Sequence, residues 1–246
     1  MGAPTEPVQL GLFHFLAQAD LLAYFLLAVM LAMSVITWYL IVSKSLANRR
    51  MRQSARVFLD TFWNAPGLES VAAHIQQTGS NDPFSHLTQR GLSAAEQYRN
   101  KTGQRLIESG SAEEFLTRAL RRAIDQDTAR LEHGHTMLAS IASSAPFIGL
   151  FGTVWGIYHA LVNIGMSGSG SLDQVAGPVG EALIMTALGL AVAIPAVLAY
   201  NFFNRSNRLI LNELDGFAHD LFAFMSTGIH GQDAERAQPT ASARSM

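Results

Sequence analysis

The sequence predicts an all-α integral membrane protein with three transmembrane helices, on three observations. Only 15% of its 246 residues are charged while 49% are hydrophobic, which is little charge for a soluble domain of this size. Residues 21–43, 136–163 and 182–204 contain no Asp, Glu, Lys or Arg. A soluble core could bury one such run, but three of this length match the hydrocarbon thickness of about 30 Å. The remaining charge is also one-sided: residues 44–132 hold thirteen of the Lys and Arg, whereas residues 1–20 and 164–180 hold none. The positive-inside rule then puts the N-terminus and the short loop outside, and the large loop and C-terminus in the cytoplasm.

Taken in order, residues 1–20 are expected to form an external N-terminus in which Leu12, Phe13 and Leu16 suggest a short amphipathic helix on the membrane surface, the other reading being a plain extension of the first span's helix. The first 20 residues lack a basic n-region and include Glu6, so no cleavable signal peptide is expected. The first span, 21–43, is followed by the basic stretch "KSLANRRMRQSAR". Residues 44–135 are expected to form a cytoplasmic helical domain, with breaks at Pro66-Gly67 and around Gly79 to Pro83. Ser111 with Glu114 has capping-box spacing, and no Pro follows until Pro146. One unbroken helix is therefore expected over 111–163, about 80 Å long. It carries the second span, 136–163. A loop at 164–177, a third span at 178–204, a cytoplasmic helix at 205–230 and a disordered tail at 231–246 complete the chain.

The second span carries a stripe of tiny side chains, Ala142, Ala145, Gly149, Gly152 and Gly156, on one helical face. The third repeats the device with Ala182, Thr186, Gly189 and Ala193. Such faces let backbones approach closely in lipid, where packing and polar contacts drive helix association. Pro146 and Pro195 each remove a backbone donor inside a span and are expected to kink it.

Glu181 heads the third span. One reading is a helix N-terminal acid after Pro178, stabilised by the dipole. The other is the mouth of a polar path, with Thr186 about 7.5 Å deeper. His159 is a secondary candidate for a relay, against the commoner capping role of a lone His at a helix end. Below Glu181 the chain offers hydroxyls such as Thr186 and Thr153 but no second acid. If it conducts protons, the missing titratable group belongs to another polypeptide. With no cysteine and no metal-ligand cluster around "HGH" at 133–135, neither metal nor cofactor is expected. "GMSG" at 165–168 lies in the loop, and the third span has no His to pair with Ser167, so a serine hydrolase is rejected. The "RALRR" cluster reads as a solvated or lipid-facing surface, not a nucleic-acid site.

"SSAPFIGLFGTVWGIYHAL" with "VAGPVGEALIMTALGLAVAIPAVLAYN" resembles the ExbB/TolQ/MotA group of proton-channel stator subunits, and leans to its ExbB form, with a TolQ-type subunit of the Tol-Pal envelope system as the alternative. The resemblance implies an inner-membrane homopentameric ring around the helices of an ExbD-like single-span partner with a membrane Asp, passing energy through TonB. It places the family's pore-facing threonines on Thr153 and Thr186 and its functional glutamate on Glu181. The family motif runs closer to "APGIAEAL", where this chain has "AGPVGEAL" and a displaced Pro178, so the local turn is expected to differ. The rival from another class is a non-conducting scaffold whose small-residue faces serve packing alone.

Overall fold

The computed structural model describes residues 20–101, 111–167 and 172–236. The N-terminal amphipathic helix expected before residue 20, and the tail beyond 236, lie outside the described residues. Six α-helices and no strand occur among the described residues: α1 (Leu21–Trp63), α2 (Leu68–Thr78), α3 (Pro83–Lys101), α4 (Ala112–Glu132), α5 (His135–Ser167) and α6 (Leu172–Arg236). Three helical stretches, in Leu21–Trp63, Ala112–Met166 and Ala182–Thr227, are long and apolar enough to cross a membrane. Large side chains such as Phe25, Trp38, Phe147, Leu198 and Phe202 stand exposed on them, as a lipid-facing surface requires.

The unbroken helix expected over 111–163 is instead two helices. α4 ends at His133, whose N–H reaches back to the Arg130 carbonyl, and Gly134 follows at φ +80°. Only glycine adopts that conformation without a Cβ penalty. α5 then starts with the Leu138 N–H donating to the Gly134 carbonyl. At α6 the helix begins at Leu172, so Pro178 and Glu181 lie inside it and not in its first turn. The same helix runs to Arg236, past the 230 boundary drawn for the tail.

The chain divides into two compact units. The first comprises residues up to Lys44 and Gly134–Asn204, and contains the uncharged stretches. Its core joins Leu26 and Met30 of α1, Leu138, Ile141 and Ala145 of α5, and Met185, Val192, Ala193, Ala196 and Phe203 of α6. The tightest contact is between α5 and α6. A Cβ placed on Gly149 would stand 2.6 Å from the Met185 carbonyl oxygen, and one on Gly189 would stand 2.7 Å from the Ala145 carbonyl oxygen. The Cα of Gly149 would be 3.0 Å from that Gly189 Cβ, so the two glycines face each other. Pro146 lies within α5 without ending it.

The second unit, Ser45–His133 and Arg205 onward, has its own core. Phe58 and Phe62 of α1, Val71 and Ile75 of α2, Phe84 and Leu87 of α3, Leu116, Leu120 and Ala123 of α4, and Leu214, Phe217 and Leu221 of α6 form one cluster. Phe217 is its hub, with Phe62 at 4.9 Å and Phe84 at 5.5 Å, both edge-on, the arrangement that ring quadrupoles favour. α3 starts abruptly because Pro83 occupies the first helical position and Asp82 caps it. Asp82 Oδ1 accepts the N–H groups of Phe84 and Ser85, each at 3.0 Å. Ser111 caps α4 by accepting the Glu114 N–H at 3.2 Å, while the Glu114 side chain pairs with Arg118.

Three substitutions test this packing by thermal unfolding of the detergent-solubilised protein. Gly149→Ala is expected to destabilise by about 1–3 kcal/mol, because its Cβ meets backbone that cannot yield. Gly216→Ala, where nothing lies within 4 Å of the added Cβ, should raise stability by up to about 1 kcal/mol through helix propensity. Asp82→Ala should cost about 1 kcal/mol for the lost cap, and Asp82→Asn much less.

Candidate functional site

The two small-residue faces bring the threonines together. Thr153 on α5 is buried and its hydroxyl donates to the Gly149 carbonyl at 3.1 Å. Its oxygen is also in hydrogen-bond contact with the hydroxyl of Thr186 on α6, which is half-buried. The contact exists because Gly149, Gly152 and Gly189 remove the volume that would hold the helices apart: a Cβ on Gly152 would collide with the Met185 side chain at 2.7 Å. The close approach continues past the threonines, since a Cβ on Gly156 would meet the Ala182 Cβ at 3.0 Å. Ala145, Ala182 and Ala193 are buried, and Ala142 packs at the edge of the same core. Every residue of the two stripes therefore lies on or beside the α5–α6 contact.

Hydrogen-bond arithmetic gives the pair a direction. Thr153 has one proton and spends it on Gly149, so the Thr186 hydroxyl is the donor between the two threonines. Thr186 thereby retains two acceptor lone pairs and no remaining proton. A group docking on Thr186 must donate to it. A protonated carboxylic acid fits, and a carboxylate does not.

Glu181 lies five residues before Thr186 on α6, about 7.5 Å along the axis. The backbone of its neighbour Ala182 touches the helix at Gly156; the Glu181 side chain itself is outside the described set. Pro195 falls in the continuous stretch of α6 between buried Ala193 and Ala196.

His159 has partners that the sequence did not suggest. Its Nε2 is 3.8 Å from Asp20 Oδ2, its Nδ1 is 3.3 Å from the Trp155 carbonyl, and its ring lies 4.6 Å from that of Trp155. Asp20 is the acid directly ahead of the first uncharged stretch, which was the available signal; the 138 residues between it and His159 concealed the pairing. At the other end of that stretch the Lys44 ammonium lies 3.4 Å from His135 Nδ1 and 5.9 Å from the Phe203 ring centre. Burial pushes the Lys44 pKa down, since a desolvated ammonium is costly. The apolar unit is thus bounded at both ends by a pair of ionisable side chains, Asp20–His159 and Lys44–His135, and Thr153 of the hydroxyl pair lies between the two histidines in the sequence of α5.

Comparison with known proteins places these features. Residues 80–216, more than half of the chain, match the model of the MotA/TolQ/ExbB proton channel family. The biopolymer transport protein ExbB of Xanthomonas campestris pv. campestris is 43% identical over 208 residues, 84% of this chain and 82% of that protein. ExbB of Neisseria meningitidis is 45% identical, covering 78% of this chain and 86% of its own. The Tol-Pal system protein TolQ of Pseudomonas aeruginosa is 30% identical over 91% of this chain and 96% of its own. With a hydroxyl pair set between two glycine-lined apolar helices, and relatives that match it over most of their length, the chain belongs to the MotA/TolQ/ExbB proton channel family.

Proposed function

We propose that the chain is the ExbB-type subunit of an inner-membrane proton channel that, with an ExbD-like single-span partner, uses the proton motive force to energise TonB-dependent outer-membrane transport. The higher identity to ExbB of X. campestris and of N. meningitidis than to TolQ of P. aeruginosa supports the ExbB branch. The observation that carries the mechanism is the Thr153–Thr186 pair. Thr186 offers acceptors only, so the partner's membrane Asp binds there as its protonated acid. Once ionised, that Asp loses its hydrogen bond to Thr186 and faces two oxygens in a low-dielectric setting, which favours its departure. Protonation therefore couples docking to release, and each charge moved through 100 mV supplies about 2.3 kcal/mol.

In this reading Glu181 sits at the external mouth and hands protons inward to the partner Asp. His159 with Asp20 forms a minor relay at the same end. The N-terminus is periplasmic, the C-terminus cytoplasmic, and five copies form the ring around the partner helices. No catalytic step is required of the chain.

Reconstitution with the partner in vesicles under a pH gradient tests the assignment. Thr186→Val removes the acceptors while keeping the shape, and Glu181→Gln removes the titratable group. Each should lower partner-dependent proton flux at least tenfold while the complex still co-purifies. Full flux in either variant would refute the role given to that residue, and loss of flux only alongside loss of the complex would favour the packing scaffold.

A further inference from the structure

Past their uncharged stretches, α1 and α6 carry a band of positive charge that no acid of either helix offsets. α1 bears Lys44, Arg49, Arg50, Arg52 and Arg56 and holds no acid between Asp20 and Asp60, while α6 bears Arg205 and Arg208 and holds none between Glu181 and Glu213. Within the second unit, two hydrogen bonds fix the level at which these helices meet. Ser206 Oγ accepts from Asn48 Nδ2 at 2.9 Å and from Arg52 Nη2 at 3.0 Å. Both lone pairs of that hydroxyl are thereby used, and Arg52 is held in the contact. Arg49 and Arg205 are the neighbours of the pinned pair. Both are exposed, and no ion pair to either occurs among the described residues.

These two arginines stand on one flank of the α1–α6 contact. The pairs Asn48–Ser206, Phe58–Phe217 and Phe62–Phe224 advance together along both helices, so α1 and α6 run parallel. Arg49 follows Asn48 and Arg205 precedes Ser206, so each is turned about 100° from the contact, in opposite senses about its own axis. On parallel helices that face each other, opposite senses lead to the same side. The other flank of α6 is taken, because there Asn207 Nδ2 donates to the Leu131 carbonyl of α4 at 2.7 Å. The remaining arginines are placed elsewhere. Arg50 lines a separate groove with Gln53, Ser54 and Asn81, Arg52 and Arg56 share a cavity with Glu213, and Arg208, two residues past Ser206, is turned away from α1.

We propose that this flank binds an anionic phospholipid whose phosphodiester lies between Arg49 and Arg205. A guanidinium presents a planar fork that matches phosphate oxygens, and basic pockets between membrane helices at the bilayer boundary recognise such headgroups. The depth fits as well. Arg205 directly follows the uncharged stretch 182–204, and Leu46 stands exposed one turn ahead of Arg49, toward the stretch 21–43. The headgroup thus meets the arginines where the hydrocarbon ends, and its acyl chains run back along apolar helix surface. A free phosphate makes no such apolar contact, so the site selects a lipid. A zwitterionic lipid brings its own cation beside the phosphate, against two guanidiniums, and is disfavoured by charge. Bound there, the lipid ties α1 to α6 at the level of Ser206. Its placement in the inner leaflet rests on the orientation proposed above, but the binding itself does not.

Native mass spectrometry of the full chain in neutral detergent, mixed with equal amounts of dioleoyl phosphatidylglycerol and dioleoyl phosphatidylcholine, counts the lipid retained. The wild type should retain phosphatidylglycerol in clear excess. Arg49→Gln and Arg205→Gln should each weaken its retention about fivefold, and the double variant more than either. Arg99→Gln combined with Arg122→Gln removes the same charge from exposed positions on α3 and α4 and should leave retention unchanged. Excess glycerol 1-phosphate, the headgroup chemistry without acyl chains, should not displace the lipid. Thr186→Val should keep the wild-type ratio, which separates failure of this site from failure of the conduction reading. Equal retention of the two lipids by the wild type, or undiminished phosphatidylglycerol in the Arg49→Gln, Arg205→Gln double variant, overturns the proposal. So does an equal loss in the α3–α4 control, which would reduce the effect to net charge, or displacement by glycerol 1-phosphate, which would make this a site for free phosphate.

Discussion

The approach of α5 to α6 at Gly149 and Gly189 is the constraint on which the rest depends. In lipid there is no water to expel between two apolar helices, so their association must come from close packing and from polar contacts. Each glycine supplies the first by removing a Cβ that would otherwise stand under 3 Å from the opposite backbone. The second follows from it, because the Thr153 and Thr186 hydroxyls reach each other only at that separation. Met185 fills the space left by Gly152, and Ala145, Ala182 and Ala193 complete the seam. Bulk is thereby pushed to the outer faces, where Leu183, Ile194, Leu198 and Phe202 remain exposed for lipid.

The second unit solves a different problem with the same helices. There, aromatic and aliphatic side chains from α1, α2, α3, α4 and α6 fill a core around Phe217. Caps and turns do the positioning: Asp82 with Pro83 starts α3, Ser111 starts α4, and the positive φ of Gly134 separates α4 from α5. A side-chain hydrogen bond between α3 and α4 is buried there as well, that of His86 with Asp127.

Much of this was legible in the sequence because the signals are periodic and local. Uncharged runs marked the spans, and tiny residues at helical spacing marked the seam. What those residues face was not legible: the two stripes meet each other, a fact that depends on residues some 40 positions apart in α5 and α6. Gly134 was hidden between two histidines, and with no proline nearby the run looked continuous. Asp127 was missed for a related reason, since its polarity disguised a position that spacing alone assigns to the face of Leu116, Leu120 and Ala123. Its partner lies 41 residues away, and no local pattern connects them.

The hydroxyl pair has an electrical consequence. Threonine neither gains nor loses a proton at physiological pH, so the seam between α5 and α6 holds no fixed charge and no site where a proton can rest. Two packed helices of this composition form an insulating contact at that level, and its resistance does not depend on a gate remaining shut. Tightness against proton leakage is then a property of composition: a titratable step at this level needs an acid that the seam does not contain among its described side chains.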